Sequence, residues 1–307
     1  MAGDRLGRLH DYIVSKRPDL DLRAKPIAEM TAADAEWAEA YIGFRRPPFE
    51  GWGNIRWVHS IGAGVDGLVF RRPIPPEILL TKSSEDFGPA IGEWCVTRAL
   101  AENQHLMPLA EDQRQRHWEG RDPSREPIVL RGEKVLIAGT GSVGRGIARA
   151  FRGVGCLTFG LSRSGGAVPD FERVSPLAEF AREVKQARWL VLALPLTQET
   201  HHFFGRDRLR ECGGVYLMNV GRGAVVDESV LPEALDQGWL RGAALDVFEV
   251  EPLPDSSPLW GRSDVVLSPH ISGPSTLAAT AEGFLECVEA LDRGERPRWA
   301  VDPGRGY

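Results

Sequence analysis

From residue 133 onward the chain repeats one texture, in which short apolar runs are separated by segments of helical spacing. The runs "KVLIAGT", "CLTFGLS", "RWLVLALP", "GVYLMNVG", "RGAALDVF" and "DVVLSPH" are nearly continuous in apolar side chains. A strand with one face in water would alternate polar and apolar residues. Continuous runs suit parallel strands buried on both faces, with helices such as "VGRGIARAFRGVG" crossing between them. The alternation predicts a doubly wound parallel α/β domain over residues 86–271. Residues 1–85 and 272–307 are predicted to form a smaller, discontinuous domain. In it, residues 5–16 and "STLAATAEGFLECVEALDRGE" read as helices, and "LDLRA" as a short extended piece. "IRWVHSIGAGVDGLVF" reads as a strand running into a glycine-rich turn and a short helix. A longer helical pattern starts at Gly88.

With 307 residues there is chain enough for two such domains. A net charge of -6 argues against a nucleic-acid footprint, which would show a basic face. The four cysteines, Cys95, Cys156, Cys212 and Cys287, form no CxxC pair, which suits reduced thiols and a cytoplasmic location. No apolar run reaches the roughly 18 residues of a membrane span. The N-terminus lacks the apolar core of a signal peptide.

Gly139, Gly141 and Gly144 form a GxGxxG pattern after an apolar strand and at the mouth of a helix. In that setting the first glycine permits a tight turn, the second a close approach to a pyrophosphate, and the third helix–strand packing. With Ser142 and Val143 they make a phosphate site at a helix N-terminus. About twenty residues on, NAD-binding loops carry an acid for the ribose hydroxyls. Here the chain reads Ser162-Arg163-Ser164, and a guanidinium fork between hydroxyls matches a 2′-phosphate. NADP(H) is therefore expected, with NAD(H) possible. Only five of the 37 basic residues are lysine, so an arginine here is weaker evidence than in an ordinary chain.

Ligands of open α/β sheets bind outside the carboxyl ends of the strands. Pro195, Arg222, Asp246, Glu251 and His270 all follow predicted strands there. Arginine clamps a carboxylate in two-point fashion, and a histidine beside a carboxylate moves a proton near neutral pH. With a nicotinamide alongside, that set suits reduction of a 2-keto acid. His201 and His202 are adjacent with no third ligand spaced nearby, so no metal is expected.

"GTGSVGRGIA", "LALPLTQET", "NVGRGAVVDE", "GAALDVFEVEPLPDSSPLW" and "SPHISG" resemble, in order and spacing, the D-2-hydroxyacid dehydrogenase family. "SIGAGVDGL", "LSRS" and the "RGY" terminus make the chain most similar to the bacterial glyoxylate/hydroxypyruvate reductases within it. The resemblance implies a Rossmann-type domain inserted in a smaller flavodoxin-like substrate domain. It implies that Arg222 binds the substrate carboxylate and keto oxygen, that His270 is the acid/base, and that Glu251 is its partner. It implies that Asp246 and Pro195 lie at the cofactor, and that Ala63 and Gly64 offer N–H groups to the carboxylate. A homodimer through the helix after Gly88 and the arm bearing Trp118 is implied too. Oxidation of another D-2-hydroxy acid with NAD stays open at this point, as does a nicotinamide-sensing interaction protein on the same fold. Family members usually begin with a strand, whereas this sequence begins almost at a helix; either the start lies upstream or the small domain lacks a strand. An arginine at 45 or 46 that entered the pocket would favour a more acidic substrate.

Overall fold

The computed structural model describes residues 2–83, 86–118 and 125–302. In chain order come α1 (Ala2–Lys16), α2 (Ala32–Trp37), β1 (Ala40–Gly43), β2 (Trp57–Ser60), α3 (Asp66–Val69) and β3 (Leu79–Lys82). They are followed by α4 (Gly88–Asn103), α5 (Leu106–Gln115), β4 (Lys134–Ala138), α6 (Ser142–Gly153), β5 (Leu157–Ser162) and β6 (Arg173–Pro176). Next are α7 (Phe180–Val184), β7 (Trp189–Leu192), α8 (Arg206–Arg210), β8 (Val215–Asn219) and α9 (Leu231–Asp236). β9 (Leu240–Leu245), β10 (Val265–Leu267) and α10 (Leu277–Asp292) close the chain. One compact unit comprises Met1–Glu85, Pro195–Glu199 and Ser275–Tyr307; the other comprises Asp86–Leu194 and Thr200–Pro274. The second junction thus falls three residues beyond the 271/272 boundary of the sequence pattern, and Pro195–Glu199 groups with the smaller unit. The "RGY" terminus lies outside the described residues.

In the larger unit seven strands run in the order β10-β9-β8-β7-β4-β5-β6. Every pairing is parallel, so all carboxyl ends lie along one edge. Chain progression reverses between β4 and β7, the switch point where such sheets leave a ligand crevice. β7 and β8 are buried at every position, which is why their sequences do not alternate. Val135, Ile137, Trp189, Val191 and Met218 of the sheet pack with Ile147 and Phe151 of α6 and Ile91 and Trp94 of α4. The two helices cross at glycines: a Cβ on Gly146 would lie 2.3 Å from Gly88 Cα.

The smaller unit holds a parallel sheet of three strands, ordered β1-β2-β3. Val58 and Leu80 face one core with Ile55 and Leu68. Trp57 faces the other with Ile13 and Val288, and its ring stacks on Phe284 at 4.9 Å. Three strands are fewer than the five of a flavodoxin-like sheet. "LDLRA" joins no ladder among the described residues. A mostly apolar cavity of about 400 Å³, lined by Leu6, Leu9, Ile13, Leu22, Tyr41 and Ile42, separates this segment from the outer edge of β1. Among the described residues no helix is long and apolar enough to cross a membrane.

Candidate active site

β4 delivers the chain to Gly139, whose φ of +103° places it in the left-handed region that favours glycine. A side chain there would strike the Ala193 carbonyl oxygen at 2.4 Å. At Gly144 a Cβ would come within 1.9 Å of the Gly139 carbonyl oxygen, so α6 seats directly on the turn. Gly141 is different: no heavy atom lies within 4 Å of its Cβ position. Gly141 and Ser142 are exposed, and with Val143 they begin α6, whose first N–H groups have no acceptor inside the helix. The open glycine, the donors and the helix dipole fit a pyrophosphate.

β5 ends at Ser162, whose hydroxyl accepts the Gly165 N–H at 3.0 Å. Arg163 and Ser164 follow it in an exposed turn shaped by Gly165 and Gly166, both at positive φ. The first acid after this turn is Asp170, which is already paired with Arg145 at 3.0 Å and Arg149 at 3.1 Å. The turn Ser162–Ser164 therefore contributes a guanidinium and hydroxyls, and no residue of the turn itself is acidic.

His270 follows β10 in a turn at φ +54°. Its Nδ1 lies 2.8 Å from Glu251 Oε2, while Glu251 Oε1 accepts the Phe248 N–H at 3.1 Å. The hydrogen bond to Glu251 raises the imidazole pKa above its ordinary value, against a smaller lowering by burial and by the Arg222 charge. Burial would lift the Glu251 carboxyl, but the bonds from His270 and Phe248 and the nearby Arg222 hold it below its usual range. The pair is built as imidazolium and carboxylate.

Asp246 explains why His270 stands where it does. Its carboxylate is fully buried and accepts the Ser268 hydroxyl at 2.5 Å and the N–H groups of Ile271 at 2.9 Å and Ser272 at 2.8 Å. Its carbonyl accepts the His270 N–H at 2.9 Å. The residue ties the histidine loop to the end of β9, a structural task beyond the nicotinamide contact implied by the resemblance. Asn219, at the end of β8, does the same for Arg222: its amide spans the turn, donating to the Arg222 carbonyl at 3.1 Å and accepting from Gly221 N–H at 3.2 Å. Gly223 then packs so tightly that a Cβ would meet the Phe248 backbone at 1.8 Å. The arginine turn and the Phe248–Glu251 loop are thereby held together.

Comparisons with known proteins identify the family. Residues 96–272 match the family model of the D-isomer specific 2-hydroxyacid dehydrogenase NAD-binding domain. The chain belongs to that family. It is 36% identical over 260 residues to an uncharacterised Streptomyces coelicolor protein encoded in the mprR 3′ region, covering 83% of this chain and 90% of that protein. A D-isomer specific 2-hydroxyacid dehydrogenase from Xanthobacter autotrophicus, solved with NADPH and MES, superposes with TM-score 0.85 at 28% identity, over 97% of this chain and 95% of that one. An NADPH-dependent glyoxylate/hydroxypyruvate reductase from Sinorhizobium meliloti, solved with NADP and sulfate, superposes with TM-score 0.75 at 26% identity, over 83% and 81% of the two chains. As a family member the chain is an NAD(P)-dependent oxidoreductase of the Rossmann type, and its family acts on small 2-hydroxy or 2-keto acids.

In the smaller unit Ala63 is exposed and Gly64 half-buried. Ser60 Oγ donates to the Gly64 carbonyl at 2.7 Å, and Ser83 N–H donates to the Gly62 carbonyl at 3.3 Å, which fixes the loop from inside. Pro195 also groups with this unit. Arg46 reaches the Arg72 carbonyl at 2.6 Å and lies over the Trp52 ring, a brace within its own unit. His202 has spatial neighbours that its sequence spacing hides: Asp227 and Glu249 bring ligand atoms within 4.8 Å of it. Glu249 is engaged there, taking the Glu228 N–H at 3.0 Å while bonded to His202 at 2.9 Å. Ser268 and Asn219 escape a sequence reading because their partners are set by loop closure; the one local signal is their place at a strand end.

Proposed function

We propose that this dehydrogenase is an NADPH-dependent reductase of short 2-keto acids such as glyoxylate and hydroxypyruvate. The observation that carries the reading is the 2.8 Å His270–Glu251 pair beside the Arg222 charge. A bound nicotinamide supplies the hydride. Everything else falls to the chain. Gly139, Gly141, Ser142, Val143 and Gly144 hold the pyrophosphate, and Ser162, Arg163 and Ser164 hold the 2′-phosphate. Asp246 and Pro195 are assigned to the nicotinamide end. Arg222 orients the substrate through its carboxylate and polarises the keto oxygen, and the loop at Ala63 and Gly64 is assigned N–H donation to a substrate carboxylate. As negative charge grows on that oxygen, protonated His270 delivers its Nε2 proton, and Glu251 holds the ring in register through Nδ1. Oxidation of a D-2-hydroxy acid with NAD would use the same residues in reverse; the Arg163 turn, which suits a phosphate, favours the NADPH reading.

NADPH absorbance with glyoxylate and hydroxypyruvate tests the activity, and pH–rate profiles test the dyad. Because the bond to Glu251 raises the His270 pKa, the competent imidazolium persists to higher pH. Glu251→Gln is expected to shift the alkaline fall of reduction to lower pH. His270→Gln is expected to lose roughly 10²–10⁴-fold in rate while still binding NADPH. A fully active His270→Gln would remove the dehydrogenase reading.

A further inference from the structure

Among the described residues of the smaller unit, Lys82 is a cation to which the reading above gives no task. Lys82 is the last residue of β3, and its Cα partner across the parallel ladder is Ser60, the last residue of β2. Registered partners in a parallel pair present their side chains to the same face. Ser60 shows where that face leads: its hydroxyl donates to Gly64 at 2.7 Å and receives the Gly62 N–H at 3.4 Å. Lys82 therefore stands beside the glycine-rich loop at the strand ends, and the next residue, Ser83, binds the Gly62 carbonyl through its N–H at 3.3 Å.

The ammonium is half-buried, and burial lowers its pKa below the usual lysine range. Among the described residues no carboxylate pairs with it. The main chain at Lys82 is held, its N–H donating to the Trp299 carbonyl at 3.2 Å, so the lysine is fixed at its base. Withdrawing an ammonium from water without a counter-charge is costly, and a bound anion removes that cost. Arg45 and Arg46 were the basic residues that the sequence offered for this end of the unit; Arg46 is committed to the Arg72 carbonyl and the Trp52 ring.

We propose that Lys82 and the Ile61–Gly64 loop together form a carboxylate subsite, in which the loop N–H groups fix direction and the lysine supplies charge. The inference rests on the keto-acid reading and adds a binding residue to it. The carboxylate is either the one adjoining the keto group or a second one further along a dicarboxylic substrate.

The test compares wild type, Lys82→Met and Lys82→Arg on glyoxylate and on oxaloacetate, together with calorimetric titration of oxalate into the NADPH complex. A charged hydrogen bond of the usual strength corresponds to about tenfold to a hundredfold in affinity. Lys82→Met is expected to raise KM by that factor with kcat held within about threefold, and Lys82→Arg to recover most of the loss. A rise with both acids assigns the carboxylate next to the keto group; a rise confined to oxaloacetate assigns the distal one. Oxalate needs no turnover, so weaker oxalate binding by Lys82→Met supports the subsite even if neither acid is reduced, in which case the reductase reading alone fails. Unchanged KM and unchanged oxalate affinity in Lys82→Met overturn the proposal, as does a fall in kcat with KM intact.

Discussion

At the scale of single residues, the proposed catalytic set could be picked out of the sequence because chemistry and position coincide: Arg222, Glu251 and His270 each follow an apolar run that becomes a strand. Arg163 is the residue on which the proposed NADPH preference rests. Arg163→Ala is expected to cost roughly ten- to a hundredfold in kcat/KM with NADPH, the usual worth of a charged hydrogen bond, and little with NADH; a wild type that prefers NADH would refute the assignment. His59 was not legible, since nothing around it in the sequence marks a buried imidazole. Its Nδ1 bonds Thr81 Oγ1 at 2.8 Å, the same oxygen that accepts the Trp57 indole N–H, and its Nε2 is buried without a partner. Burial lowers its pKa from 6.5 to about 4. The unfolded chain then binds the proton more readily than the folded one, so the stabilisation is complete above pH 6.5 and drains as pH falls toward 4. About 2 kcal/mol would be gone by pH 5 on this account. Thermal melts of wild type and His59→Gln between pH 7 and 5 check it: the wild-type curve should fall more steeply, and parallel curves would refute the linkage.

Among the elements, those that announce themselves are the ones whose burial is settled by their own sheet. β7 and β8 read correctly because their apolar runs are short, and a run of that length buried on both faces suits a central parallel strand. "LDLRA" looked extended yet forms no strand, because a strand is defined by a partner, and the space beside β1 holds a cavity instead of a neighbouring chain. The crossing of α4 on α6 was equally hidden: glycines at 88 and 146 are unremarkable in a chain with 34 of them, until the helices meet there. A methyl at Gly146 would lie 2.3 Å from Gly88 Cα, and that atom is backbone, so the helices must separate. Gly146→Ala is expected to destabilise by about 1–3 kcal/mol, the usual range for overpacking. Gly153→Ala, on the same helix with nothing within 4 Å of its Cβ, serves as the control and should be neutral or mildly stabilising. Equal denaturation midpoints for the two variants would mean that the crossing tolerates a side chain.

For the molecule as a whole, the exposed apolar surface bears on whether the chain pairs with a second copy. α5 buries none of its residues, yet it shows Leu106 at 55%, Met107 at 58% and Leu109 at 51% exposure. The nearby segment that returns to α4 adds Val129 at 71%, with the Ile128 N–H bonded to the Asn103 carbonyl at 2.9 Å. Trp118, just beyond α5, is almost wholly exposed. Scattered apolar residues need no explanation, but five on one helix and the segments that flank it make the kind of patch that marks an interface. A helix with no buried face gains little from its own monomer, so this face is expected to dock on a second copy. Two-fold symmetry is the commonest closed arrangement, and a stable dimer needs about 800 Å² per partner, which a ten-residue helix with its flanks can supply. Light scattering after size-exclusion chromatography is expected to give twice the 33.8 kDa chain mass at micromolar concentration. Leu106→Asp with Leu109→Asp should return the monomer, since each charge would have to be buried without a partner. The variant should keep NADPH binding, because Gly139–Gly144 and Arg163 lie on other elements of the same unit. A monomeric wild type would refute the expectation.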